Sequence, residues 1–191
     1  MKDLKRRNFL SVLGVAGLGA ATSVFAKNTQ NGKGRTSTKT SSSLTEKQKD
    51  DLFYIFQEEK VARDVYITLG EKYPEENTFA LIQLSEQKHI DSAKGLCDKY
   101  GVDTSYVNLD AVGEFELPVL QILYDTCVTQ GQIDKLAALR VGELIEITDI
   151  EDLENASVGM PSDVVRVYNN LKEGSLNHLA SFRDAIARET K

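Results

Sequence analysis

The chain contains two histidines, His89 and His178, and each follows a polar residue by three positions, Glu86 and Ser175. At that spacing both members of a pair project from one face of a helix. The face carrying Glu86 is apolar: Phe79, Ile82, Glu86, His89, Ala93, Leu96 and Tyr100 follow a 3-4 alternation. A carboxylate and an imidazole placed there are costly unless something neutralises them. Two more runs have the same character. Glu59 stands among Leu52, Phe56, Arg63, Tyr66 and Leu69, and Glu143 with Glu146 stand among Leu136, Leu139, Ile150 and Leu153. Close carboxylates in an apolar interior repel one another, so they take up protons or share a cation. Carboxylate with imidazole suits iron or manganese. The expected metal ligands are therefore Glu59, Glu86, His89, Glu143, Glu146 and His178.

These residues need helices to position them. From Thr45 onward the periodicity is helical and no stretch alternates as a strand does. A first helix is predicted over 45–72, with Gln48 placed to close a capping box on Thr45 and Pro74 beyond its end. A second follows Asn77, a good N-cap, and stops at Tyr100-Gly101. Residues 101–115 read as irregular, and a short helix over 116–130 follows, closed by Gly131. Two more long helices are expected, 133–156 and 162–188, with Thr148-Asp149 a point where the former could break. Short turns join the first pair and the last pair, which makes each an antiparallel hairpin. Reflected about the first turn, Glu59 lands near residue 91, about a turn past Glu86 and His89. Reflected about the second, Glu143 and Glu146 land beside Ser175 and His178. The polar positions converge at mid-bundle.

Bland alternatives exist for each residue. Arg63 could take Glu59 as an i,i+4 ion pair, Arg140 could take Glu143, and Glu58 reads as a solvated acid. Asp149 falls off the inner seam as drawn, and Ser175 reads as a hydroxyl bonded back to its own helix. Tyr66 reads as a core or rim aromatic within reach of a metal site. Cys97 and Cys127 read as separate buried thiols, or as a disulfide if their Cα atoms approach within about 7 Å.

The N-terminus has different chemistry. Lys2, Lys5, Arg6 and Arg7 precede an apolar stretch, Phe9 to Phe25, that ends Val24-Phe25-Ala26. Residues 1–26 are expected to be an export signal, and Arg6-Arg7-Asn8-Phe9-Leu10 resembles a twin-arginine motif, which implies a periplasmic or extracytoplasmic location. The apolar core is short and rich in Gly and Ala, so no stable membrane span is expected after cleavage. Residues 27–44 read as a flexible linker and 45–191 as one domain. With 41% hydrophobic residues over 191 positions there is enough apolar side chain for a real core. A formal charge of -6 argues against nucleic acid as a partner.

Three motifs, and the longer run that contains them, then carry a resemblance. Glu59-Lys60-Val61-Ala62-Arg63-Asp64-Val65-Tyr66 resembles the first-helix E-x-x-A-R-x-x-Y signature of rubrerythrin-type ferritin-like proteins. Glu86-x-x-His89 is similar to their second-helix metal motif, and Glu143-x-x-Glu146 to their third-helix acid pair. The run from Gln57 to Phe182 resembles more closely an uncharacterised prokaryotic ferritin-like family, a domain of unknown function. The resemblance implies an all-α fold, a ferritin-like four-helix bundle with an additional crossover helix. It implies iron or manganese in a dinuclear site, with oxidoreductase chemistry on Fe(II), dioxygen or peroxide. A homodimer is compatible with it. Two departures matter: Ser175-x-x-His178 lacks the glutamate that the family carries on its last helix, and there is no paired-cysteine iron centre to serve as electron donor. These leave a di-metal site with fewer carboxylates, a mononuclear site, or a non-enzymatic bundle with a vestigial polar core.

Overall fold

The computed structural model describes residues 43–191, which form five helices and no strand. The expected export signal and nearly all of the expected linker lie outside the described residues. Leu44, at the end of that linker, is buried and belongs to the packed body.

Helix α1 spans Glu46–Lys72 and begins with the expected capping box, Thr45 accepting from the Gln48 backbone while Gln48 reaches back to the Thr45 amide. Helix α2 spans Asn77–Tyr100; its cap is Glu76 rather than Asn77, because the Glu76 carboxylate accepts from Thr78 N at 3.0 Å. It ends at Gly101, whose φ of 68° is the left-handed conformation that a side chain disfavours. Helix α3 spans Pro118–Gly131, two residues later than the periodicity suggests, with Pro118 in the first turn where its missing N–H costs nothing. Helix α4, Lys135–Ala156, is capped by Asp134 and runs unbroken through Thr148-Asp149, and α5 spans Ser162–Glu189. None of these helices is long and apolar enough to cross a membrane.

The four long helices form a bundle. α1 packs chiefly on α2 and α4 on α5, while α1 also meets α4 and α2 also meets α5, so the order around the bundle is α1, α2, α5, α4. α3 crosses between the hairpins and packs on α1 and α4. Tyr66, Phe79 and Phe182 pack their rings against one another in the core, tilted by 43° to 55°, at centroid separations of 5.1 to 6.2 Å. Gly142 permits this packing: a Cβ there would lie 2.3 Å from the Phe182 ring, so α4 approaches α5 as closely as backbone allows.

α1 is the most enclosed element. Every residue from Tyr54 to Tyr66 is buried, including Glu58, which the sequence had placed in solvent and whose carboxylate accepts from Tyr54 Oη at 3.4 Å. The segment between α2 and α3 explains part of this, because it lies along α1 and is tied to it by charge. Lys60 Nζ contacts Asp64 at 2.6 Å and donates to the Ala111 and Glu114 carbonyls at 2.7 and 3.1 Å. Arg63 binds Asp64, Gln87 and the Leu109 carbonyl, so it is not the partner of Glu59.

Candidate metal centre

Glu86 is the hub. Its Oε2 lies 3.0 Å from His89 Nδ1, and its Oε1 lies 2.8 Å from His178 Nδ1. The first contact follows from the i,i+3 spacing on α2; the second crosses to α5. The two imidazoles lie at 29° to one another with centroids 5.3 Å apart, so one carboxylate spans both rings. Each ring has a second carboxylate neighbour: Glu59 Oε2 from α1 at 3.2 Å from His89, and Glu146 Oε2 from α4 at 3.5 Å from His178. Oδ2 of Asp149, one turn beyond Glu146, is 2.6 Å from Ser175 Oγ. Four helices thus contribute four acids and two imidazoles to one buried cluster.

The group has two halves joined through Glu86. One holds Glu59 and His89, the other Glu146 and His178. Tyr66 closes the second half by donating its hydroxyl to Glu146 Oε1 at 2.6 Å, the contact its position allowed for. Gly174 shapes the first half, since a Cβ there would stand 2.4 Å from His89 Nε2. The carboxylates of Glu59, Glu86 and Glu146 are 1–2% exposed while both imidazole side chains are 9% exposed, so what opening there is lies on the imidazole side.

Burial and mutual repulsion set the protonation. Burial penalises a charged Glu86, but the two imidazoles outweigh it and hold the carboxyl down at about 2. Burial likewise opposes charge on the rings, and the carboxylates overcome it, lifting His89 to about 11 and His178 to about 10. Glu59 and Glu146 rise to about 7, chiefly through burial. Asp149 is pushed well above the usual carboxylate range by burial and then by the charges of Glu59 and Glu146. The Ser175 hydroxyl has one proton and two oxygen neighbours, Asp149 Oδ2 at 2.6 Å and Leu171 O at 3.0 Å. The hydroxyl donates to the nearer of the two, Asp149 Oδ2, and so holds that carboxyl in place.

The cluster is incompletely served by its own hydrogen bonds. Glu59 Oε1 and Asp149 Oδ1 are buried without a hydrogen-bond partner. Buried polar atoms are rarely left so, and each such atom points to something that completes it. A cation fits: the unserved atoms are donors of the type that iron and manganese take, and Glu86, His89 and His178 can place one ligand atom each within 4.8 Å of one another.

Of the expected ligands, the structure brings together Glu59, Glu86, His89, Glu146 and His178. Glu143 is elsewhere. It lies at the half-exposed edge of α4 and accepts from Arg183 Nε at 2.8 Å. Asp149 is inside instead. The reason is helix phase: the inward residues of α4 run Leu139, Gly142, Glu146, Asp149, Leu153 and Ala156, a 3-4 alternation turned one step from the seam through Glu143 and Ile150. Gly142 is the signal that could have chosen between them, because a glycine in mid-helix marks a face pressed against a neighbour. Gly174 gives the same signal on α5. Cys97 and Cys127 are separate free thiols, each pushed up to about 12 by burial.

Gly174 yields a test of this packing. Ala is favoured over Gly in a helix by about 1 kcal/mol, and at Gly95, where a Cβ would meet nothing within 4 Å, Gly95→Ala is expected to raise stability by about that much. Gly174→Ala is expected to change sign, because the new methyl displaces His89 from two carboxylates, a cost of about 1–3 kcal/mol. Paired thermal melts check this, and a Gly174→Ala protein as stable as Gly95→Ala would refute the close approach.

Residues 48–191 match the family described as an uncharacterized protein domain, DUF2202. Uncharacterized protein MJ0754 of Methanocaldococcus jannaschii is 39% identical over 140 residues, covering 73% of this chain and 75% of the relative. The crystal structure of hypothetical protein MJ0754 from Methanococcus jannaschii aligns with a TM-score of 0.75 at 36% identity, over 81% of this chain and 88% of that one.

Proposed function

We propose a function for this chain, which belongs to the DUF2202 family of uncharacterized domains, from its own residues: it is an exported ferritin-like metal protein that holds iron or manganese at mid-bundle and performs oxidoreductase chemistry. The observation that carries the reading is the convergence of four acids and two imidazoles from four helices on a buried centre with unserved donor atoms. The first-helix signature and Glu86-x-x-His89 support the ferritin-like assignment, and Arg6-Arg7-Asn8-Phe9-Leu10 supports export.

Glu59 and His89 would hold one ion, Glu146 and His178 a second, and Glu86 would serve both. When bound, the metal supplies a one-electron couple for Fe(II), dioxygen or peroxide. The chain supplies the rest. With both rings cationic and Glu59, Glu146 and Asp149 raised, an ion would enter in exchange for the protons that the rings and these carboxyls hold, and the carboxylates so freed would balance its charge. The Tyr66 hydroxyl fixes one oxygen of Glu146 and leaves the other facing His178. Phe79 and Phe182, both fully buried, pack against the Tyr66 ring beside Glu146, and the 9% exposure of the two imidazole side chains marks where the centre comes nearest the surface.

Metal analysis tests this directly. Protein purified from its native compartment without chelators, or reconstituted with Fe(II) under air-free conditions, is expected to carry about one to two equivalents of metal per chain. Less than one equivalent after reconstitution would leave the vestigial polar core as the better reading.

A further inference from the structure

We propose that Asp149 supplies the carboxylate that α5 lacks at Ser175: it is a metal ligand in the His89 half of the centre, with the Ser175 hydroxyl as its positioning group. This rests on the metal reading above and adds a residue to it.

Three observations carry the assignment. Asp149 is 5% exposed and lies one turn beyond Glu146 on the inward face of α4, so it projects into the same interior. Its Oδ2 is fixed by Ser175 Oγ at 2.6 Å, which leaves Oδ1, buried and without a protein partner, free to bind. Finally, its level in the bundle is set by α5. Because α4 and α5 run antiparallel, Glu146 meets His178 and, one turn along, Asp149 meets Ser175. Gly174, adjacent to Ser175, is the residue pressed against His89, so the Asp149–Ser175 level is that of the Glu59–His89 half.

The geometry accounts for the missing glutamate. A glutamate at 175 would reach inward from α5 with its own carboxylate. Here the shorter serine leaves space, and an acid from α4 fills it while the serine hydroxyl anchors it. The structural alternative is a protonated acid whose work ends at Ser175. The two differ in what Asp149→Asn does, since an amide keeps the shape and a hydrogen bond to Ser175 but is a far poorer ligand.

The experiment is a titration of the full chain with Mn(II), and with Fe(II) under air-free conditions, followed by calorimetry and metal analysis, alongside melts of the metal-free protein. His89→Ala and His178→Ala identify the equivalent belonging to each half. Asp149→Asn is expected to keep the metal-free melting temperature and to weaken by about tenfold or more the equivalent that His89→Ala removes. Ser175→Ala is expected to weaken the same equivalent by less. Asp149→Asn combined with Ser175→Glu is expected to restore it, because the carboxylate returns from the neighbouring helix. If the parent binds a single equivalent, that one is the equivalent weakened. The proposal is overturned if Asp149→Asn titrates like the parent, or if it affects only the equivalent lost in His178→Ala. Should Asp149→Asn not fold, a Ser175→Ala protein with unaltered affinities overturns it equally. A parent that binds no metal ends the metal reading itself; a parent that binds while Asp149→Asn is unchanged ends only the role of Asp149.

Discussion

Glu86→Gln is expected to reduce metal uptake to less than about 0.1 equivalent per chain, the largest effect of any single change at the centre. The reason is position rather than charge count. Glu59 and Glu146 each approach one imidazole, but Glu86 approaches both, at 3.0 and 2.8 Å through different oxygens. Removing it takes a ligand from each half at once, whereas His89→Ala or His178→Ala takes one from a single half. Glutamine keeps the volume and the hydrogen-bonding capacity but has one oxygen to offer and no charge. The substitution also separates metal protein from relic. In a relic, Glu86 is the anion between two buried cationic rings, so its loss costs about 3–5 kcal/mol whether or not metal is added. In a metal protein, the parent melts higher when loaded, because a ligand that binds only the folded state stabilises it, and Glu86→Gln loses that increment. Calorimetric melts of both proteins with and without Mn(II) check this. A Glu86→Gln protein that retains its full complement of metal would sink the assignment of Glu86 as hub.

Much of this centre is legible in the residues. Glu86 and His89 stand out because a charged pair interrupts a greasy face; reflection about the first turn brings Glu59 to within a turn or so of it, and reflection about the second sets Glu146 beside His178 at a comparable depth. What periodicity resolves poorly is phase. A helix turns 100° per residue, so on α4 two seams separated by one step both look apolar, one through Glu143 and Ile150 and one through Gly142, Glu146 and Asp149. The packed structure chooses the second because Phe182 requires a residue without Cβ opposite it. The surroundings of α1 were less legible still. Glu58 reads as a solvated acid, and nothing local reveals that residues 101–117 return over the helix. That coverage depends on contacts such as Lys60 to Ala111, 51 positions apart, which no helical window contains.

The same return segment supports the second large prediction. Asp64→Ala is expected to destabilise the protein by about 3–5 kcal/mol, because it strips a buried carboxylate from two cations. Asp64 is fully enclosed: Oδ2 accepts from Lys60 Nζ at 2.6 Å and from Gly113 N at 2.9 Å, and Oδ1 accepts from Arg63 Nε and Nη2 at 2.9 and 2.7 Å. Without it Lys60 keeps two carbonyls and the Phe115 ring beneath its ammonium, but no countercharge. For a body of this size the loss corresponds to a fall in melting temperature of about 10 °C or more. The exposed pair Lys47–Asp51 has the same i,i+4 spacing and an equally short contact, 2.6 Å, yet Asp51→Ala is expected to cost less than about 1 kcal/mol because water replaces the lost partner. Matched melts of the two variants therefore test burial rather than distance as the source of the effect. The damage is expected to begin locally, with protease cleavage and amide exchange appearing first in residues 101–117, which lose the Gly113 anchor. Since Lys60 neighbours Glu59 on α1, a loosened segment reaches the metal centre through the helix itself. Asp64→Ala should weaken metal binding at temperatures where the bundle is still folded, and an affinity equal to that of the parent would show that α1 holds Glu59 without help from the segment that covers it.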